Sequence, residues 1–119
     1  MVSEFTEYMR KTLRKKGMSQ QQVFRSADIS DKYGYKLISG EKHTRQRDIL
    51  IKLGIVARFT EAEISEALIL YGMAPLYRQN GRDVVLIRAL AEGIREVSDV
   101  NELLEHAGYV KLYESKREK

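Results

Sequence analysis

The sequence predicts an all-α domain of about seven short helices. Apolar residues recur at the three- and four-residue spacing of amphipathic helices along nearly the whole chain, and Val, Ile and Thr never alternate with polar residues over a strand length. The single proline, Pro75, and most of the eight glycines lie between these periodic segments. A chain of 119 residues can bury one substantial core, so we expect one compact domain.

The first helix is expected between Ser3, which suits an N-cap, and Gly17, which suits a helix end. Its apolar side follows helical spacing through Phe5, Tyr8, Met9, Thr12 and Leu13. A basic amphipathic helix of this kind also suits a membrane surface. The short loop and the new cap that follow at once favour a helix that faces a core.

Cap residues and glycines delimit the other six helices. These helices are expected at about residues 20–26, 31–39, 45–57, 61–71, 82–92 and 97–107. The expected N-caps are Ser19, Ser30, Thr44 and Thr60, and the first and last of these have Gln22 and Glu63 at capping-box spacing. The expected helix ends are Asp28, which tolerates the left-handed conformation, and Gly40, Gly72 and Gly108.

A short internal repeat is present in the second half of the chain. The residues Ile64, Glu66, Leu68, Gly72, Leu76 and Tyr77 recur 36 positions later as Val100, Glu102, Leu104, Gly108, Leu112 and Tyr113. Each copy is a helix, a glycine stop and an extended Leu-Tyr segment. Two copies are too few for a solenoid, so we interpret them as two similar helical packing units.

The charge is divided unevenly along the chain. Residues 1–59 hold 13 basic and 6 acidic side chains, a balance of +7, whereas residues 60–119 hold 8 and 11, a balance of −3. Together these make the net charge of +4. The basic half is consistent with a polyanionic partner and equally with a solubilising surface.

The segment from Met18 to Gly40 resembles the helix-turn-helix of the phage-repressor-like, or XRE-type, family. The residues that carry the likeness are Ser19-Gln20, the turn Ala27-Asp28-Ile29-Ser30, Leu37 and Gly40-Glu41-Lys42. The resemblance covers about residues 3–71, five helices in the family's order, and does not include the acidic second half. It implies a helix-turn-helix DNA-binding region over residues 1–59, with residues 60–119 as a helical extension packed on it.

The resemblance also implies which residues would contact double-stranded DNA. The helix that begins after Ser30 would lie in the major groove. The residues placed to read base edges are Asp31, Lys32, Tyr35 and Lys36. The residues placed to contact the DNA backbone are Gln20, Gln21, Ser30, Lys42, His43 and Arg45.

Two features depart from the family's pattern. Phe24 stands where the family usually has Ala, and Gly34 where it usually has Ile or Val. We expect that Phe24 fills the space that Gly34 leaves, which would conserve core volume. Tyr33 and Tyr35 are unusual in a base-reading helix and would suit base stacking, phosphate contact or a protein-binding surface.

Several other classes of protein are disfavoured. With no cysteine the chain has no disulfide, thiolate metal site or cysteine nucleophile, and this composition suits a reducing compartment. His43 and His106 have no ligand-like neighbours, and Glu61, Glu63 and Glu66 follow the spacing of a solvated helix face. We therefore expect no metal, no cofactor and no enzymatic activity.

No apolar run approaches the 20 residues or so of a membrane span, and the N-terminus lacks the apolar segment of a signal peptide. These features favour a cytoplasmic protein.

The sequence therefore predicts a DNA-binding transcriptional regulator that acts by occupying an operator. A homodimer would place two recognition helices about one DNA turn apart. The region 60–119 is a candidate surface for dimerisation or for a regulatory protein partner. The alternative is a protein–protein interaction module that has the repressor-like fold and does not bind DNA.

Overall fold

The computed structural model describes residues 2–114, and this range contains seven α-helices and no β-strand. The helices are α1 (Glu4–Lys15), α2 (Gln20–Ser26), α3 (Asp31–Ser39), α4 (Arg47–Val56), α5 (Glu61–Tyr71), α6 (Gly81–Ala91) and α7 (Val97–His106). The predicted all-α class is confirmed for the described residues. Residues 115–119 of the predicted extension lie outside them.

The serine caps and both capping boxes form as predicted. The Ser30 hydroxyl accepts from the N–H of Tyr33 at 3.2 Å. At the start of α2, the Ser19 hydroxyl accepts from the Gln22 N–H at 3.1 Å, and the Gln22 side chain accepts from the Ser19 N–H at 2.9 Å. Thr60 and Glu63 make the same pair of bonds at the start of α5. Asp28, with φ of +56°, takes the predicted left-handed conformation after α2.

The prediction that Thr44 caps α4 is wrong. The helix begins at Arg47, and its N-cap Gln46 makes no side-chain cap bond. The Thr44 hydroxyl instead accepts from the Gln46 N–H at 3.0 Å, while the Thr44 N–H donates to the Tyr71 hydroxyl at 2.8 Å. The contact with Tyr71 on α5 thus holds Thr44 in the connection before the helix.

All seven helices contribute to one apolar core. The pairs that pack are α1 with α3 and α5, α2 with α3 and α4, α4 with α5 and α7, α5 with α6, and α6 with α7. The largest fully buried side chains include Met9, Phe24, Leu37, Phe59, Leu68 and Leu86. Because they form one cluster, residues 60–114 pack against the same core as α1–α4. No helix within residues 2–114 is long and apolar enough to cross a membrane.

The expected exchange of volumes between Phe24 and Gly34 is confirmed. Both residues are buried, one on α2 and the other on α3. A Cβ atom added to Gly34 would lie 2.5 Å from Cγ of Phe24, well inside the van der Waals contact distance. The aromatic ring therefore occupies the space that a side chain at position 34 would need.

Two Arg-Asp pairs, one at the start of α4 and one at the start of α6, form reciprocal bidentate ion pairs. The Arg47 guanidinium donates to both carboxylate oxygens of Asp83 at 2.9 and 2.8 Å, and Arg82 donates to both oxygens of Asp48 at the same two distances. We call these four residues the Arg–Asp clasp. It links the beginnings of two helices that lie 34 residues apart in the sequence.

The extended segments after α5 and α7 are attached to the clasp in the same way. The N–H of Tyr77 donates to Asp83, and the N–H of Tyr113 donates to Asp48, each at 2.9 Å. Arg47 also donates to the carbonyls of residues 74 and 75, and Arg82 to those of residues 110 and 111. Each clasp arginine therefore has both a carboxylate and main-chain carbonyls as acceptors.

Candidate nucleic-acid interface

The helices α2 and α3 are joined by a tight turn. After the left-handed Asp28, the N–H of Ile29 donates to the carbonyl of Phe24 at 2.8 Å, and Ile29 is buried. Ser30 then caps α3. This closure holds the two helices against each other and fixes the position at which α3 begins.

One side of α3 is buried and the other is open. Gly34, Leu37 and Ile38 face the core, whereas Lys32, Tyr35 and Ser39 are exposed and Lys36 is half-buried. Within the described part of the chain, neither Lys32 nor Lys36 has an ion-pair partner. The open side of α3 therefore carries two cationic side chains whose charge no described carboxylate neutralises at close range.

Asp31, the first residue of α3, is already engaged by residues of α2. Its carboxylate accepts from Nε2 of Gln21 at 3.0 Å and lies 3.4 Å from Nη2 of Arg25. Gln21 is exposed and Gln20, which precedes it, is half-buried. The contact brings two predicted DNA-contact residues, Gln21 and Asp31, side by side. It also adds Arg25, which the sequence did not identify as a candidate.

The rings of Tyr35 and Phe24 pack in a T-shaped arrangement, with centroids 5.0 Å apart and an interplanar angle of 87°. The residue is nevertheless 46% exposed. Tyr33 is only partly buried against the core. The structure therefore holds part of the Tyr35 ring against the bundle and leaves the remainder at the surface.

The loop after α3 folds back onto that helix and is anchored to α5. The N–H of Lys42 donates to the carbonyl of Lys36 at 3.1 Å. The His43 ring stacks on Tyr71 with centroids 4.3 Å apart, and Tyr71 in turn packs edge-on against Phe5. Burial raises the pKa of Tyr71, although the N–H of Thr44 bonded to its hydroxyl opposes this shift. Tyr71 is thus a structural anchor for the predicted backbone-contact loop.

Arg45 lies in the same loop, is exposed, and makes no ion pair with any residue in the range 2–114. Arg47, two residues later, differs because the clasp holds its guanidinium on Asp83. The predicted candidates thus lie on α3, on the start of α2 beside it, and in the loop that folds onto the end of α3.

Sequence reasoning missed Arg25 and Tyr71. No sequence pattern identified Arg25 as a site residue, because its partner Asp31 lies on the next helix. For Tyr71, the sequence indicated only that it ends a predicted helix, and not that it contacts His43 and Thr44. Within residues 2–114, no three His, Asp or Glu side chains lie close enough together to hold a metal ion. No protein-family model, curated protein or solved structure matches the chain.

Proposed function

We propose that the protein is a sequence-specific DNA-binding regulator, with α2 and α3 as a helix-turn-helix. The observation that carries this proposal is the open side of α3. There the exposed Lys32 and the half-buried Lys36 have no ion-pair partner in the described chain, and they adjoin a loop with a further cation, the exposed Arg45. Unpaired cations on and next to a short helix attract a polyanion. The major groove of double-stranded DNA is wide enough to accept such a helix.

In the proposed complex α3 lies in the major groove. Lys32 and Lys36 are four residues apart, so they project from the same side of the helix and can donate to guanine O6 and N7. Asp31 has two roles open to it: to accept from cytosine N4, or to keep Gln21 and Arg25 beside the DNA backbone through the contacts already formed. Operator occupancy would be the whole mechanism, with no chemical step.

A salt series on DNA binding tests the proposal. Affinity for mixed-sequence duplex DNA should fall linearly with salt on a log–log plot, with a slope near −0.9 for each phosphate neutralised. The double variant Lys32→Ala/Lys36→Ala should bind DNA at least about tenfold more weakly than the wild type. The matched control is Lys11→Ala/Arg14→Ala, which removes the same charge from the exposed side of α1 and should weaken binding much less.

The competing function, a protein-interaction module, draws support from other exposed side chains. Tyr77, Tyr109, Val110 and Tyr113 are all exposed, with Val110 at 76%, and they lie in the second half of the chain. Tyrosines and apolar residues at the surface are typical of protein interfaces, including those of homodimers. If no DNA binding appears even at low salt and the α3 lysine variants behave like the wild type, this function replaces the first.

A further inference from the structure

A cleft of about 640 Å³ lies between the N-terminal bundle and the second half of the chain. It is bordered by the α1–α2 connection, the ends of α2 and α4, and the connection from α6 to α7. Its lining includes Met18, Ser26, Arg58, Arg95, Glu96 and Ser98. None of the predicted DNA-contact residues lines it. Its volume is in the range of small-molecule sites.

Two arginines, Arg58 and Arg95, line this cleft, and neither is held in an ion pair by a carboxylate of residues 2–114. Arg95 is half-buried and donates from Nη1 to the carbonyl of Phe59 at 2.7 Å. Burial lowers the pKa of Arg95, the positive charge of Arg58 lowers it further, and Glu63 offsets only part of this. Neither arginine forms an ion pair within residues 2–114, and the Glu96 carboxylate, although it borders the cleft, does not pair with either.

Arg58 is also in an unfavourable backbone conformation. Its φ is +66°, a region that residues with a side chain adopt at a cost. The corresponding residue after α6 is Gly93, with φ of +78°. Both lie two residues past their helix, and the N–H of each donates to the carbonyl three residues earlier, that of Ile55 for Arg58 and that of Leu90 for Gly93. Glycine satisfies this turn without strain, so the arginine at position 58 is not required by the turn itself.

We propose that this cleft binds a small phosphorylated ligand, with the guanidinium groups of Arg58 and Arg95 holding its phosphate. The two guanidinium groups carry a charge of +2 and Glu96 at the border a charge of −1, so the lining is net positive and attracts an anion such as a phosphate monoester. Arginine forks bind phosphate oxygens in pairs, and Ser26 and Ser98, which also line the cleft, carry hydroxyl groups that can donate hydrogen bonds. The site is independent of the proposed DNA contact and would serve for an effector.

Titration with two probes at constant ionic strength tests the site. Inorganic phosphate and ribose 5-phosphate are followed by amide chemical shifts and by the increase in melting temperature, with ribose as the uncharged match. We expect saturable shifts at residues around the cleft for both phosphates and none for ribose. Absence of saturable binding at millimolar concentrations of both phosphates would overturn the proposal.

The decisive variant is Arg58→Gly, because glycine at this φ relieves the backbone strain while it removes the charge. We expect phosphate binding to weaken about tenfold or more, with the melting temperature of the free protein unchanged or higher. The control Arg88→Ala removes an exposed arginine of α6 outside the cleft and should leave binding unchanged. A lower melting temperature of free Arg58→Gly would assign Arg58 a structural role and contradict the proposal. Equal weakening in both variants would show only non-specific charge attraction and would also contradict it.

Discussion

Phe24 and Gly34 show how one pair of side chains adapts the α2–α3 packing. Truncation of the buried ring in Phe24→Ala leaves a cavity that Gly34 cannot fill, so we expect a loss of about 3–5 kcal/mol in the free energy of unfolding. Urea denaturation followed by circular dichroism measures this loss. A value below about 1 kcal/mol would mean that the ring is not the element that fills the space.

Adding a side chain on the other helix, in Gly34→Ala, distinguishes the effects of packing and of helix propensity on the free energy of unfolding. Propensity alone would make this variant more stable by about 1 kcal/mol. Because the added Cβ would meet the Phe24 ring at 2.5 Å, we expect it to be less stable instead. Phe24→Leu/Gly34→Ala should then lose less stability than the sum of the two single variants. Strict additivity would contradict direct coupling of the two positions.

Ionisation of Glu63 makes the free energy of unfolding depend on pH in the acid range. Burial alone would raise its pKa, but hydrogen bonds from Lys15, Lys16 and the Thr60 N–H outweigh this and lower the pKa from 4.5 to about 2. The ionised form is thus favoured by folding. Its contribution is complete above pH 4.5 or so and is lost as the pH falls towards 2.

The variant Glu63→Gln isolates this charge, because glutamine preserves the capping box. Between pH 5.5 and 2.5 the wild type should lose about 1–2 kcal/mol more stability than the variant, after allowance for solvent screening around the exposed Lys15. Urea denaturation at both pH values measures the difference. Parallel losses in the two proteins would show that Glu63 does not carry the effect.

Among the helices, those with a local cap signal could be predicted closely. The predicted bounds of α2, α3 and α5 match the structure because Ser19, Ser30 and Thr60 bond to N–H groups only three residues away. The start of α4 could not be predicted in this way. A residue of another helix, Tyr71, binds the Thr44 N–H, and no local pattern reveals a contact across 27 residues.

Close approach of α4 and α5 depends on Gly54. A Cβ at this position would lie 2.5 Å from Cγ1 of Ile64, so Gly54→Ala should cost about 1–3 kcal/mol despite the better helix propensity of alanine. The corresponding positions of α6 and α7 hold Ala89 and Val100, both buried, a pair of nearly the same total volume in which one methyl group has moved from the larger to the smaller side chain. We therefore expect Gly54→Ala/Ile64→Val to recover most of the stability lost in Gly54→Ala. A double variant no more stable than the single one would contradict this account.

At the scale of the molecule, composition and periodicity predict the helical class of the described residues, and the resemblance assigns the candidate DNA contacts to the start of α2, to α3 and to the next loop. The pairing of Asp31 with Arg25 and the charged cleft at Arg58 and Arg95 were not predictable, because each joins residues from separate elements. The Arg–Asp clasp could not be predicted from the internal repeat, for the same reason. Its two Arg-Asp dipeptides are 35 residues apart, and only the fold brings them together.

The clasp should affect the stability of the entire molecule, because it joins α4 of the first half to α6 of the second. Asp83 is only 3% exposed, so Arg47→Ala leaves a buried carboxylate without its cation, at an expected cost of about 3–5 kcal/mol. Asp48 is more accessible to water, so Arg82→Ala should cost less, about 1–3 kcal/mol.

Since all seven helices share one core, wild type and variants should each unfold in a single cooperative transition. Calorimetry and circular dichroism should give the same midpoint for each protein. The double variant Arg47→Ala/Asp83→Ala removes both the cation and the stranded carboxylate, so it should be destabilised by less than the sum of its single variants. An early separate transition of α6 and α7 in the wild type would instead mean that the clasp joins two units that fold independently.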